Sequence, residues 1–353
     1  MSLIIRSMQP NEVREVHKLM KKAFGVMEGL FVPKPKMALV AVIDERIVGA
    51  FAYDFENAGG RKVGFASVFV THPDFQGQGI GKRICEEGVK YLWEQGCDEL
   101  VTYVRDDNVA SWGVFEKNGF KRASFVDTAR IFGAVGAVKL YVKTVLAFCM
   151  GHDFYIASKD GAQTSVQENK SSIGQIAIFL LINVLLAVPI AVASRDTLMV
   201  LPAFAAVLAG SVAASYLGTL FSKRRWDFRA VDGGMGVFLA VSLLIRGYLP
   251  MVGNWYPEKY ENTPKFKRDM AMTAIVPWVF LIGLYAVCLA VNVPVASFIT
   301  GMLPILLLYR CMAFAPISSY GGGRVYDWNK AVFGILVVIS LTLIFVLPRI
   351  GVL

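Results

Sequence analysis

The residues best suited to chemistry sit on one strand-to-helix step, Gln76-Gly77-Gln78-Gly79-Ile80-Gly81-Lys82. Glycines this close together let successive backbone N–H groups converge on one point, and the positive end of the following helix dipole is aimed at the same spot. Pyrophosphate is the natural ligand of such a cradle. The dinucleotide fingerprint G-x-G-x-x-G does not fit, because Gly81 comes one residue early after Gly77-Gln78-Gly79. The phosphate loop G-x-x-x-x-G-K-[ST] fails as well, and on the glycines alone a turn without a ligand stays open. A second constellation follows further along: Asn108, Ser111 and Phe115-Glu116-Lys117-Asn118-Gly119-Phe120. His72, placed before Pro73 at a strand end, reads as a turn residue before it reads as a base. Cys85, Cys97, Cys149, Cys288 and Cys311 have no metal-ligand spacing and read as reduced packing residues.

The elements that must hold these residues alternate. Residues 3–7 suggest a strand, and Asn11 caps an amphipathic helix carrying Val13, Val16, Leu19, Met20 and Phe24 at helical spacing. Strands are expected at 38–43, 47–53 and 63–71, then a helix through Ile84, Val89 and Leu92. A strand at 99–104, a helix at 108–117 and closing strands at 120–128 and 138–145 complete an α/β domain over residues 1–148.

With both constellations in hand, this domain resembles the GNAT superfamily of acetyl-CoA-dependent N-acetyltransferases, closest to the ribosomal-protein-alanine acetyltransferase type. The resemblance implies a mixed central sheet with flanking helices and acetyl-CoA as co-substrate. It implies that Phe69, Val70 and Thr71 pair with the pantetheine arm through their backbone. Gln76, Gly77, Gln78, Gly79, Ile80, Gly81 and Lys82 would wrap the pyrophosphate, and Asn108 would bond the cofactor near the thioester. The family usually has a tyrosine where this chain has Phe115, placed to protonate the leaving thiolate. A glutamate common on the preceding strand is here Tyr103. Acid and base then come from elsewhere, with Tyr103, Asp54 and Glu56 as candidates, or the domain binds acyl-CoA as a sensor without fast turnover.

The rest of the chain has another character. Hydrophobic residues make up 55% of the 353 and charged residues 18%, against roughly 45–50% and about 25% in soluble domains. No charge occurs from Ser171 to Ser194, Thr197 to Ser222, Met270 to Tyr309 or Ala331 to Pro348. A bilayer core takes about 20 apolar residues per helix, so spans are expected at 173–193, 198–221, 271–291, 295–314 and 331–348. The segment 231–249 holds Asp232 and Arg246 and reads as re-entrant or interfacial, and residues 149–172 as a linker. The N-terminus is charged and amphipathic, unlike a signal peptide. The net charge of +9 is explained by basic loops beside the apolar runs, which leaves nucleic acid out. Those loops put the N-terminal domain in the cytosol and the C-terminus outside, in a multi-pass integral membrane protein.

The membrane half, residues 173–353, resembles a degenerate site-2 protease. Aligning on Arg225 to Ala230 puts Ser211, Val212 and Ser215 where that family's H-E-x-x-H motif supplies zinc ligands and base, and Gly321 where its L-D-G aspartate belongs. His17, His72 and His152 all precede this half, so the usual zinc ligands are missing. No metal and no proteolysis are expected, leaving an anchor or a scaffold for a transmembrane client protein.

Overall fold

The computed structural model describes residues 3–30, 32–106, 108–159, 171–193, 197–258, 261, 263–291, 294–314 and 317–347. They form two compact units. The first comprises Met1–Val104, Asn108–Leu146 and Asp153–Glu168, and the second Arg105–Asp107, Ala147–His152 and Asn169–Leu353.

The first unit is a mixed sheet with flanking helices. Its chain runs β1 (Ile4–Ser7), α1 (Val13–Gly29), β2 (Met37–Ile43), β3 (Arg46–Ala58) and β4 (Arg61–Thr71). It continues as α2 (Ile80–Glu94), β5 (Glu99–Arg105), α3 (Val109–Lys117), β6 (Lys121–Ala123), α4 (Phe125–Lys143) and β7 (His152–Ser158). The strand order is β1-β2-β3-β4-β5-β7-β6. β1 to β4 are antiparallel neighbours and β5 runs parallel to β4.

Strand alternation decides which helix covers which face. From Ala50 onward the even positions of β3 meet α1 and α4: Ala50 and Ala52 pack with Val16, Leu19 and Met20, while Glu56 pairs with Lys139 and Lys143. The odd positions meet α2, where Tyr53 lies 5.3 Å from Tyr91 between ring centroids. Gly88 of α2 has no side chain because Phe51 occupies its place, 2.5 Å from where a Cβ would stand.

Several expectations are corrected. Helix α1 is not capped by Asn11; a 3-10 turn at Pro10–Glu12 precedes it, with Gln9 as N-cap and the Glu12 carboxylate accepting from the Gln9 N–H. The strand expected at 120–128 stops at Ala123, because Ser124 and Asp127 form a capping box that starts α4. Residues 138–143, also expected as strand, are the second half of α4. The closing strand comes instead from β7, inside the stretch read as a linker, where Phe154, Tyr155 and Ile156 are fully buried. The polar residues Asp160, Gln163 and Glu168 that suggested the linker lie outside the described residues.

The second unit is helical with one two-stranded sheet. Its elements are α5 (Ser172–Ala193), α6 (Thr197–Thr219), β8 (Trp226–Val231), α7 (Met235–Leu244), β9 (Val252–Pro257) and α8 (Pro264–Ala290). Then come α9 (Pro294–Arg310), α10 (Gly322–Trp328) and α11 (Lys330–Leu341), which runs on into a π turn at Thr342–Val346. Among the described residues, three helices are long and apolar enough to cross a membrane: Ser172–Ala193, Met199–Thr219 and Pro264–Ala290. Ile173, Leu181, Met199, Leu217 and Val287 are exposed on them, as lipid-facing positions are. Inside, Leu186, Phe204, Trp278, Leu281 and Leu303 share one core. A polar anchor holds α5: buried Asn183 accepts from Tyr248 Oη at 3.0 Å and from the Met251 N–H at 2.8 Å. Within 231–249 the structure has only α7, ten residues long. At 1.5 Å per residue that is about 15 Å, half a bilayer core. The antiparallel β8–β9 pair on either side of it was not anticipated.

Candidate active site

The site begins where two parallel strands part. β4 and β5 pair from Val63↔Glu99 to Ala66↔Thr102. There the ladder ends, for two visible reasons. The register of β4 against β3 jumps from Ala66 to Val68, so Ser67 is an extra residue in a bulge, and its Oγ donates to the Ala52 carbonyl at 3.1 Å. Thr102 Oγ1 also donates to the Ala66 carbonyl, at 2.8 Å. Past this point Val68 to Thr71 stay paired with β3 on one side. Their other edge, which includes Phe69, Val70 and Thr71, has left the β5 ladder.

The glycine segment stands at the same end of β4. Gly77 and Gly79 have φ of +79° and +78°, left-handed values that glycine takes at little cost. Gly79 is the N-cap of α2, with no side chain capping it. The first-turn N–H groups of Ile80, Gly81 and Lys82 have no carbonyl behind them in the helix. A Cβ built on Gly77 or Gly79 meets no atom within 4 Å, whereas one on Gly81 comes 3.0 Å from Thr71 Oγ1. The cradle is therefore open in front and closed behind, and it adjoins the strand end. Gln76 and Gln78 are exposed beside it. A pyrophosphate with an extended arm fits these residues.

Across the gap lies α3. Asn108 caps it, its Oδ1 accepting from the Ser111 N–H at 3.3 Å. That leaves the Asn108 amide N–H₂ as the donor it has for a ligand. Phe115 is buried, edge-on to Phe69 with ring centroids 5.2 Å apart and to Phe120 at 5.0 Å. The structure thus brings Phe69 and Phe115 together, with hydrocarbon where a hydroxyl was in question.

The acid and base candidates occupy the α1 and α4 face. Tyr103 is the first β5 residue beyond the ladder and stacks on Phe65 at 5.8 Å. Asp54 lies opposite Phe65 on β3, its Oδ1 accepting from the Phe55 N–H at 2.9 Å. Glu56 is committed elsewhere. Its hydrogen bond with Lys143, together with Lys139, holds its carboxyl below the usual carboxylate range. His72 is a turn residue: its Nδ1 accepts from the Asp74 N–H. Burial, followed by the nearby Lys22 charge, lowers its pKa. Sequence reasoning missed Ser67, since a bulge leaves no signature in residue type.

In the second unit, Ser211 and Gly321 both meet Arg310. Arg310 Nη2 lies 3.4 Å from Ser211 Oγ, and Nη1 donates to the Tyr320 carbonyl at 2.9 Å. A Cβ on Gly321 would stand 3.1 Å from Nη1. Val212 is buried, and Ser215 Oγ accepts from Trp255 Nε1 at 3.0 Å. Among the described residues, no group of three or more His, Cys, Asp or Glu is placed to hold a metal ion.

With this geometry in view, the N-terminal part has a GNAT-type fold, and residues 7–120 match the family model "Acetyltransferase (GNAT) family". Among curated relatives, the chain is 38% identical over 63 residues to a mycothiol acetyltransferase of Saccharomonospora viridis, covering 18% of this chain and 21% of that protein. It is 36% identical over 83 residues to an acetyltransferase of Pectobacterium atrosepticum, covering 24% and 56%. The chain thus spans from about a fifth to about half of the length of these relatives. Among solved structures, the ribosomal-protein-S18-alanine N-acetyltransferase from Escherichia coli aligns at TM-score 0.32 and 14% identity, covering 44% of this chain and 94% of that one. A GNAT family acetyltransferase from Brucella melitensis in complex with acetyl-CoA aligns at 0.29 and 23%, covering 34% and 83%.

Proposed function

We propose that the protein is a membrane-anchored, acetyl-CoA-dependent N-acetyltransferase acting on an amine at the cytosolic face. The observation that carries this reading is the parting of β4 from β5 at the Ser67 bulge, directly beside the open Gly77–Lys82 cradle. Acetyl-CoA supplies the acetyl group as an activated thioester. The N–H groups at Gly77–Lys82 take its pyrophosphate, the free edge of Phe69–Thr71 pairs with the pantetheine amides, and Asn108 donates near the thioester. The acceptor enters from the α1 and α4 face, where Tyr103 and Asp54 are placed to orient the amine or pass on its proton; Glu56 is held by its lysines. As the new C–N bond forms, the C–S bond breaks, the thiolate leaves and the amine nitrogen gives up one proton.

The lack of a dedicated base selects the acceptor. At pH 7 an α-amine with pKa near 8 loses its proton for about 1.4 kcal/mol, a lysine near 10.4 for about 4.6 kcal/mol. A protein α-amine or a small amine is therefore favoured over lysine. The name of the mycothiol acetyltransferase relative leans toward a small molecule. Steady-state release of CoA thiol from acetyl-CoA over a panel of amines tests the reading. Tight CoA binding with no turnover on any amine would instead make the domain an acyl-CoA sensor.

For the membrane half we propose five spans with the N-terminal domain cytosolic. Two of the spans are the shorter helices around Gly301–Arg310 and Lys330–Val346. The half serves as an anchor or holds a transmembrane client. Support for its likeness to a site-2 protease is that Ser211 and Gly321, far apart in sequence, meet at one guanidinium.

A further inference from the structure

Three basic side chains converge where β4 runs out toward the glycine cradle, all of them within the first unit. Val68 and Val70 of β4 pack with α1, and His72, directly after the strand, meets Lys22 of that helix. Lys22 Nζ lies 3.1 Å and Arg46 Nη2 3.2 Å from His72 Nε2. The ring is fixed in place. His72 is buried, its N–H donates to the Val48 carbonyl at 2.8 Å, and its Nδ1 accepts from the Asp74 N–H at 3.3 Å. Phe75 stands edge-on to the imidazole with centroids 5.9 Å apart, and the Arg46 guanidinium lies 5.5 Å over the Phe75 ring. A neutral imidazole has one N–H and one lone pair, while lysine and arginine have donors only. With Nδ1 accepting from Asp74, the ring proton is on Nε2. The Nε2–H, the Lys22 ammonium and the Arg46 guanidinium are then three donors turned on one another. Among the described residues Lys22 has no carboxylate partner. The Asp74 carboxylate stands at the other ring nitrogen, 3.5 Å from Nδ1, and 3.9 Å from Arg46 Nη2. Lys22 and Arg46 are exposed, so a ligand from solution reaches them.

We propose that Lys22, Arg46 and His72 form a binding site for an oxyanion, a carboxylate or phosphate group of the acetyl acceptor. An oxyanion supplies the lone pairs that this set lacks. Two positive charges held against one ring nitrogen also repel each other until an anion comes between them. The ammonium offers a point charge and the guanidinium a fork of N–H groups, and carboxylate and phosphate oxygens accept from both. The site stands on side-chain geometry alone. Giving it to the acceptor rests on the acetyltransferase reading, in which CoA occupies the gap between β4 and β5 and the acceptor comes over the α1 and α4 face. The acceptor is then an amine that also carries an acid group, whether it is a protein α-amine or a small molecule.

The test uses the full-length protein in detergent or nanodiscs. Inorganic phosphate is the first probe, read by NMR titration of the histidine rings, of which the chain has three. In the free protein burial, then the Lys22 charge, lowers the His72 pKa against Asp74, with Arg46 adding to the lowering. An anion beside the ring favours its charged form, so phosphate at constant ionic strength is expected to move the His72 titration upward. Lys22→Gln combined with Arg46→Gln is expected to weaken phosphate binding about tenfold or more, as loss of charge-assisted hydrogen bonds does. Lys90→Gln, on α2 beside Glu94, is expected to bind phosphate like the wild type. No phosphate effect on His72, or an undiminished one in the double variant, overturns the site. The second probe is a pair of acceptors that differ in one group, an amine bearing a carboxylate and its carboxamide. The wild type is expected to favour the carboxylate about tenfold in kcat/KM, and the double variant to lose that preference. No preference in the wild type overturns the assignment to the acceptor. So does a double variant that binds CoA more weakly but 3′-dephospho-CoA as before, which moves the site to the cofactor. A protein that turns over no amine while phosphate still moves His72 overturns the acetyltransferase reading and upholds the site.

Discussion

Replacing Gly79 by Glu separates what the cradle does for a ligand from what it does for the fold. The residue sits at φ +78° with open space where a Cβ would go. The fold therefore loses only backbone strain, about 1–2 kcal/mol. A carboxylate at the N-terminus of α2 returns about 0.3–1 kcal/mol through the helix dipole. The net cost of about 1 kcal/mol lowers the melting temperature by roughly 2–4 °C in a domain of this size. Binding suffers far more. A carboxylate about 5 Å from a pyrophosphate bearing two charges costs about 1–3 kcal/mol per charge pair. The sum, about 2–6 kcal/mol, is a loss of about thirtyfold in CoA affinity at the least. Gly96 is the matched control at the other end of α2, with φ +76° and no atom within 4 Å of its Cβ position. Gly96→Glu has the same strain and an unfavourable dipole term, so it should be the less stable of the two variants and yet bind CoA like the wild type. Calorimetric titration with CoA and thermal melts of the full-length protein read both quantities. Wild-type affinity in Gly79→Glu, or equal losses in both variants, would refute the cradle.

Other outcomes follow from the same geometry. Phe115→Tyr should raise kcat for CoA release tenfold or more, since a general acid typically contributes about 10²–10⁴-fold; an unchanged kcat would mean that the ring does not face the leaving thiolate. Across amine acceptors at pH 7, kcat/KM should fall about tenfold for each unit of acceptor pKa above 7, and a lysine side chain outpacing an α-amine would point to a base outside those named here. Glu56→Gln should leave kcat/KM within about threefold while lowering the melting temperature at pH 7. Because the folded Glu56 carboxyl is held below its unfolded value, its contribution is present above about pH 4.5 and is lost as pH falls through the depressed folded value. The gap between wild type and Glu56→Gln should accordingly close in acid melts. A cysteine replacing Lys265 should be labelled by impermeant reagents only from the cytosolic side, and labelling from outside would show that 231–249 crosses the bilayer.

How much of this was legible depended on whether a signal lived in residue types. The strands up to Thr71, helix α2 and the helix from about residue 108 were readable from alternation, glycine spacing and helical periodicity, all local properties; that Asn108 caps α3 was not. Helix α4 was misread because its valines favour strands, although Val135, Val138 and Val142 recur at the three- and four-residue steps of a helix. β7 was hidden by its neighbours, a short apolar run next to a polar stretch. The β8–β9 pair was missed for a different reason. Its strands flank α7 and are short, so each looks like loop in a segment judged only for its fitness to span a bilayer.

The parting of β4 and β5 lies beyond any such reading, and it is the feature that makes a site. Ser67 is an ordinary strand residue by type; what matters is that β3 offers no partner position for it. Thr102 is likewise unremarkable until its hydroxyl takes the Ala66 carbonyl. Between them they end the ladder at one rung and leave the backbone groups of Phe69–Thr71 facing the gap. Backbone groups at a strand edge take partners from water or from a ligand, and in the proposed reading this half-buried edge takes a ligand with amides of its own. A pantetheine arm has them, and the Gly77–Lys82 cradle stands where its pyrophosphate would arrive. The glycines alone left a ligand-free turn open as a reading. What favours the proposed acetyl-CoA reading over that turn is the strand edge next to them, where the β4–β5 ladder has ended, a property of pairing that no single residue carries.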